Sequence, residues 1–318
     1  MRVLVTGADG FVGRHLVRHL AGEGNEVTAC HRADGRAPEE WTAIRATGIP
    51  LELGDDASVR AAVARPLDAV VHLAAVSSGA DARRNPACAW IVNAVGTVRV
   101  LRAVSAGRDA PGRAGSDPLV LIVSTGEVYG TGAGDPQPRR ESDPVAPVSD
   151  YAASKAAAEL AALESWRAGA LRVVIARAFQ HTGPGQSAQF VVPAFVTRLK
   201  AARTSGARTV RTGNLEPVRD LLDVRDVVSA YVALLARGEP GAAYNVASGI
   251  GVRLGDVFAR LAELVGASVV PEPDPALVRA GDIQHLVGDP ARLRAATGWM
   301  PRFTLDQTLR GVVDAQAD

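Results

Sequence analysis

The sequence predicts an α/β protein, a doubly wound parallel sheet carrying a smaller C-terminal lobe. Three observations carry that prediction. Short apolar runs alternate with helical patterns through the first half of the chain, as a parallel sheet with helices on both faces requires. The first run leads into three evenly spaced glycines and then a helical pattern. After residue 176 the alternation gives way to Gly, Pro and Arg clusters at 183–185, 213–219 and 271–281, with short helices between them.

The first strand is read at residues 2–6, Arg-Val-Leu-Val-Thr. Gly7-Ala8-Asp9-Gly10-Phe11-Val12-Gly13 follows, and His15–Leu20 then repeats apolar residues at helical spacing. Gly7 permits a positive φ, Gly10 lets a pyrophosphate approach the backbone, and Gly13 lets helix and strand pack closely. Three glycines alone could mark an ordinary βα turn. Between a strand and a helix they mark a nucleotide site, with Gly7, Gly10, Phe11 and Val12 at the phosphates and the helix start facing them.

Further strands are read at Glu26–Cys30, Pro50–Leu53, Ala69–Leu73, Leu119–Ser124 and Leu171–Ala176. Residues 105–118, rich in Gly, Pro and Arg, read as a surface loop with Arg108 and Arg113 solvated. The expected division is a cofactor domain over 1–176, with 218–246 returning to its sheet, and a substrate lobe over 177–318.

The 318 residues carry a formal charge of +1, which gives no electrostatic case for nucleic acid or a membrane surface. The N-terminus runs straight into a strand without a leader pattern, and no apolar run is read as approaching the ~20 residues of a membrane span. Cys30 and Cys88 are too few for a disulfide framework or a zinc site, so cytoplasm is the expectation, with both cysteines in the core and no metal.

The second strand ends Ala29-Cys30-His31-Arg32, where an acid would accept from the ribose hydroxyls of NAD. Arg32 instead suits a 2′-phosphate, or is simply a surface arginine. NADP(H) is therefore favoured over NAD(H). Asp55 is either an acceptor for the adenine amino group or a helix N-cap.

Chemistry enters at Tyr151-Ala152-Ala153-Ser154-Lys155, where tyrosine and lysine four apart share one helical face. Ser149 or Asp150 caps that helix. A lysine ammonium beside a tyrosine is expected to bring its pKa down toward the working range, making it an acid–base group. Lys155 would also hold the nicotinamide ribose.

On these residues the chain resembles the extended short-chain dehydrogenase/reductase superfamily, with its Rossmann-type sheet, over essentially its whole length. The carrying motifs are Thr6-Gly7-x-x-Gly10-Phe11-Val12-Gly13, His72-Leu73-Ala74-Ala75, Asn93-Ala94-x-Gly96-Thr97, Ser124-Thr125-x-Glu127-Val128-Tyr129-Gly130 and Tyr151-x-x-x-Lys155. The resemblance implies that Thr125 hydrogen-bonds the reacting oxygen beside Tyr151, with Glu127 nearby. It implies that Leu73, Ala74 and Ala75 lie along the cofactor and that Asn93 supports the active-site helix. A homodimer through that alanine-rich helix and the one after Asn93 is also implied.

The second half resembles the branch that reduces the C4 ketone of GDP-4-keto-6-deoxymannose. The residues are Arg177-Ala178-Phe179-Gln180-His181-Thr182-Gly183-Pro184, the run from Gly213 through Asn214 to Asp226, and Tyr244–Gly249. The likeness implies a GDP-sugar substrate, with Phe190 and Val191 lining the guanine pocket and Arg219 and Arg279 at the diphosphate or ribose. Asp282 falls at a ribose-binding acid. Ser77, Gln180 and Asn214 fall at the substrate. Departures at Val76, Gly126 and Gln180 lie near the expected hexose pocket. The rivals are a nucleotide-sugar 4,6-dehydratase, for which Gly126 lacks the acid–base group, a 4-epimerase, and a non-catalytic NADP-binding sensor.

Overall fold

The computed structural model describes residues 1–108, 117–131, 137–277 and 283–316. Seven strands form the main sheet: β1 (Arg2–Thr6), β2 (Glu26–Arg32), β3 (Ala46–Leu51), β4 (Ala69–His72), β5 (Leu119–Thr125), β6 (Arg172–Ala178) and β7 (Ala243–Val246). They lie in the order β7-β6-β5-β4-β1-β2-β3, every pair parallel. The chain runs outward from β1 to β3 and then returns to the other side of β1. Strand order therefore reverses between β1 and β4, where Thr6 lies opposite His72. The crevice at the carboxyl ends of those two strands is the place for a ligand.

Successive strand residues serve opposite faces, so both faces are apolar. Val3, Val5, Val71 and Leu121 pack with Leu16 and Leu20 of α1 (Phe11–Gly22) on one side. On the other, Leu4, Val70, Val120 and Ile122 pack with Val100 and Leu101 of α2 (Gly96–Arg108). A strand covered on both faces has no reason to alternate polar and apolar residues, which is why these strands read as continuous apolar runs. α3 (Asp150–Arg167) packs on the β5 and β6 side, its start capped by Ser149 Oγ accepting from Ala152 N–H at 3.2 Å.

The second lobe has its own core. Phe195 and Leu199 of α4 (Val191–Ser205) meet Phe258 and Leu261 of α6 (Leu254–Val265) and Leu309 and Val312 of α7 (Leu305–Ala315). Between α4 and α6, α5 (Val224–Arg237) returns to the main core through Val227, Tyr231 and Leu234. Three small sheets lie in the second half of the chain. One of them sets Val218–Asp220 between Gly251–Arg253 and His285–Leu286.

Three sequence expectations are corrected. The third strand is Ala46–Leu51 rather than Pro50–Leu53. It lies at the sheet edge, where one polar face is tolerated, so its apolar signal is weak. Ser105–Arg108 continues α2 instead of opening the loop, and Arg108 donates to the Ala170 carbonyl; Arg113 lies outside the described residues. The helical run Pro86–Arg108 is long and apolar enough to cross a membrane by length and composition. It is nonetheless the crossover between β4 and β5, with Asn93, Val100 and Leu101 buried against the body.

Candidate active site

The glycine turn is shaped for close approach. Gly7 has φ of 67°, and a Cβ there would sit 2.7 Å from the Ala74 backbone nitrogen. A Cβ on Gly13 would sit 2.2 Å from the Gly7 carbonyl oxygen. α1 starts at Phe11 with Gly10 as its N-cap, no side-chain cap and no acid in the first turn. The N–H groups of that turn, Phe11 and Val12 among them, have no acceptor within the helix, so the residues present fit a dinucleotide pyrophosphate.

A directed hydrogen-bond chain holds the β4 end beside this turn. Thr97 Oγ1 donates to the Asn93 carbonyl at 2.6 Å, so it must accept from His72 Nε2–H at 3.1 Å. His72 Nδ1 then accepts from the Thr6 hydroxyl at 2.8 Å, and Thr6 Oγ1 accepts from Ala74 N–H at 3.2 Å. Burial, with the Lys155 charge adding to it, lowers the His72 pKa to about 3, so the ring is neutral. Leu73, Ala74 and Ala75 leave this anchored strand end half-buried at the crevice.

Asn93 lies in a π-helical turn, Trp90–Val95, and it is buried. Its Oδ1 accepts from Val76 N–H at 2.8 Å, and its Nδ2 donates to Val76 O at 3.2 Å and to Ser154 Oγ at 3.0 Å. Ser154 Oγ in turn donates to the Tyr151 carbonyl at 2.8 Å. Asn93 thus ties the β4 exit to the tyrosine turn of α3.

Thr125 and Tyr151 come together at the carboxyl end of β5, and Lys155 follows one helical turn after Tyr151. The Thr125 hydroxyl is placed to donate to the Tyr151 phenolic oxygen and also accepts from Glu127 N–H at 3.2 Å. The expected depression of the Tyr151 pKa does not occur. Burial raises it and the Glu127 charge raises it further, so the phenol keeps its proton. Burial lowers the Lys155 pKa to about 8, partly offset by the Glu159 carboxylate one turn on. A Cβ on Gly126 would meet the Phe179 ring at 2.9 Å, so this ring fills the room a side chain would need.

The other sequence candidates fall around this centre. Arg32 ends β2 and is 81% exposed on its side chain. Asp55 is an N-cap, its Oδ1 accepting from Ala57 N–H at 2.9 Å. Gln180 Oε1 is buried without a protein partner among the described residues, as a substrate contact would leave it. Phe190 caps the start of α4 and Val191 opens it, both half-buried. Ser77 is exposed, and Asn214 closes a turn by accepting from Glu216 N–H at 3.0 Å. Arg219 is buried on Val218–Asp220, and its charge and that of Arg139 both depress the His285 pKa, after burial. Arg279 and Asp282 lie outside the described residues.

The glycine turn and the lobe also touch directly. His15 Nε2–H donates to the Pro184 carbonyl at 3.0 Å, and the Phe11 ring stacks on His181 at 6.2 Å.

Several motif residues make contacts that are not apparent from sequence. Arg177 grips the buried Glu159 through Nε (3.1 and 3.2 Å) and Nη2 (2.8 Å), and Nη1 donates to Tyr129 Oη at 2.9 Å. Tyr129 Oη donates to Asn245 Oδ1 at 2.7 Å. This buried network joins α3 to β6 and β7 behind Lys155. Tyr129, Arg177 and Asn245 lie in motifs quoted above, whereas Glu159 is signalled only by its four-residue step from Lys155. Arg139, beside the substrate-lobe strands, is likewise unforeseen.

The sheet, the glycine turn and the tyrosine–lysine helix define a nicotinamide-dinucleotide enzyme of the short-chain type. The chain belongs to the NAD dependent epimerase/dehydratase family, whose model matches residues 3–247. It is 35% identical over 317 residues to the GDP-6-deoxy-D-mannose reductase of Pseudomonas aeruginosa, covering 98% of this chain and 96% of that one. The structure of RMD from Pseudomonas aeruginosa complexed with NADPH superposes with a TM-score of 0.82 at 33% identity, covering 99% and 98% of the two chains. The UDP-glucose 4-epimerase of Thermus thermophilus complexed with NAD gives 0.85 at 30% identity, with the same coverage.

Proposed function

We propose that this chain reduces the C4 ketone of a GDP-4-keto-6-deoxyhexose with NADPH, converting GDP-4-keto-6-deoxymannose to GDP-rhamnose or its C4 epimer. The observation that carries the reading is the protonated Tyr151 phenol beside Thr125, one helical turn before Lys155, in a chain similar throughout to a GDP-6-deoxy-D-mannose reductase. When bound, the nicotinamide would supply a hydride to the carbonyl carbon. Thr125 orients the carbonyl oxygen and Tyr151 gives it a proton, so charge never accumulates there. Lys155 holds the ribose and steadies the phenolate that remains. A phenol that keeps its proton in the free protein is already in the form a reductase needs.

Residues 1–176, with the returning strand, hold the cofactor through Gly7, Gly10, Phe11, Val12, Leu73–Ala75 and Asn93, with Arg32 at a 2′-phosphate. Residues 177–318 hold the sugar nucleotide through Gln180, Phe190, Val191, Asn214 and Arg219, whose planar guanidinium suits a diphosphate. Gly126, closed off by Phe179, itself supplies no acid–base group for elimination across C5 and C6, and this favours reduction over 4,6-dehydration, Glu127 beside it being common to both readings.

The test follows nicotinamide absorbance and sugar mass together. GDP-4-keto-6-deoxymannose should consume one NADPH per sugar, and GDP-mannose should remain unchanged. Loss of water from GDP-mannose with no net change in nicotinamide would replace this reading by the dehydratase one.

A further inference from the structure

The end of β2 carries a cation and no acid, yet an acid reaches it from another element. Asp9 lies inside the glycine turn, and its Oδ2 accepts from the Arg32 backbone N–H at 3.3 Å and lies 3.7 Å from Arg32 Nε. The turn is pinned to β2 by Ala8 N–H donating to the Cys30 carbonyl at 2.9 Å. Arg14 Nε donates to the Asp9 carbonyl at 3.0 Å, which fixes the residue from its other side. The Asp9 side chain is 20% exposed and the Arg32 side chain 81% exposed, so the carboxylate is the enclosed partner of the pair and the guanidinium the solvent-facing one.

In this fold the adenosine ribose lies between the glycine turn and the end of β2. An acid there accepts from the ribose hydroxyls of NAD, whereas an arginine takes the 2′-phosphate of NADP. Here both groups serve one subsite, one from the turn and one from the strand.

We infer that Asp9 is a cofactor-specificity residue: its carboxylate accepts from the 2′-hydroxyl of NADH and opposes the 2′-phosphate of NADPH. The inference rests on the proposed dinucleotide site and is independent of the sugar. Arg32 favours NADPH through its charge. Asp9 holds that preference down in two ways, by pairing with the same guanidinium and by repelling a phosphate that carries nearly two negative charges. The protein therefore uses both reduced cofactors.

The test is a titration of the sugar-free protein with NADPH and with NADH, followed by nicotinamide fluorescence at low and at high salt. The parent should bind the two with Kd values within about tenfold of each other. Asp9→Asn keeps an oxygen for the Arg32 N–H and loses the charge. It should tighten NADPH by about tenfold at low salt, with a smaller gain at 0.5 M salt, as screening requires. It should weaken NADH several-fold. Asp9→Ser, whose shorter side chain draws the acceptor back from Arg32, should move the ratio the same way. Weaker NADPH binding in both variants would mean that Asp9 orients Arg32 for the phosphate, and would overturn the inference. Equal changes for both cofactors, or none, would overturn it as well. A parent that bound neither dinucleotide would remove the site itself, whereas a parent that bound both but reduced no GDP-sugar would remove only the proposed substrate.

Discussion

Tyr151 and Lys155 show how far burial overrides proximity. A lysine one turn away was expected to draw the tyrosine pKa down, yet the phenol sits where desolvation dominates and Glu127 adds to it. Tyr151→Phe should leave the NADPH Kd unchanged and cut kcat by about 10²–10⁴, the loss of one general acid. A rate within a few-fold of the parent would remove Tyr151 from its role. Lys155, lowered to about 8, is charged below that pH and neutral above it. Ribose binding and turnover should therefore hold below about pH 8 and fall as pH rises through it. Glu159→Gln removes the charge that raises Lys155, so the fall should move to lower pH; an unshifted profile would show that Glu159 does not act on Lys155. Arg32→Asp should weaken NADPH and spare NADH, as measured by the two Kd values.

Among the elements, the turn into α1 and the back of α3 are the least tolerant. Gly13→Ala would drive a methyl to 2.2 Å from the Gly7 carbonyl, a backbone contact that nothing flexible can relieve. The variant should lose dinucleotide binding in a fluorescence titration, together with stability. Arg177→Met would leave the Glu159 carboxylate buried without its bidentate partner. Such a break costs about 3–5 kcal/mol, more than the loss of the pair together. Urea unfolding should therefore find Arg177→Met less stable than Arg177→Met combined with Glu159→Gln.

For the whole molecule, the helical run Pro86–Arg108 exposes Trp90, Ile91, Val95 and Val98, and α3 adds Leu160. A groove of about 290 Å³ lies between these helices, lined by Val98, Leu101, Ala161 and Ser165 among others. Exposed apolar residues flanking a groove mark an association surface, and a homodimer through these two helices is the assembly we propose. Light scattering at micromolar concentration should give twice 33.0 kDa, and Leu160→Glu should restore the monomer. A parent that scatters as one chain would end this proposal. Acid should also loosen the molecule at a defined place. The folded His72 pKa is depressed to about 3, so its contribution is complete above about pH 6.5 and is lost as pH falls toward 3. Thermal unfolding should show Tm falling across that window.

What the sequence determined by itself is what depends on neighbours along the chain. The glycine turn, the Tyr151–Lys155 face and the apolar runs of β1, β2, β4, β5 and β6 are set by spacings of a few residues, so they could be read directly. The edge strand β3 carried little apolar signal, and its place was decided by pairing with β2. Tertiary structure alone decided the rest. Tyr129 meets Asn245 across 116 residues because parallel order sets β5, β6 and β7 side by side. Asp9 reaches Arg32 because β1 and β2 are neighbours. The protonation of Tyr151, His72 and Lys155 follows from desolvation, which depends on what packs around a group in three dimensions and leaves no periodic trace in the chain.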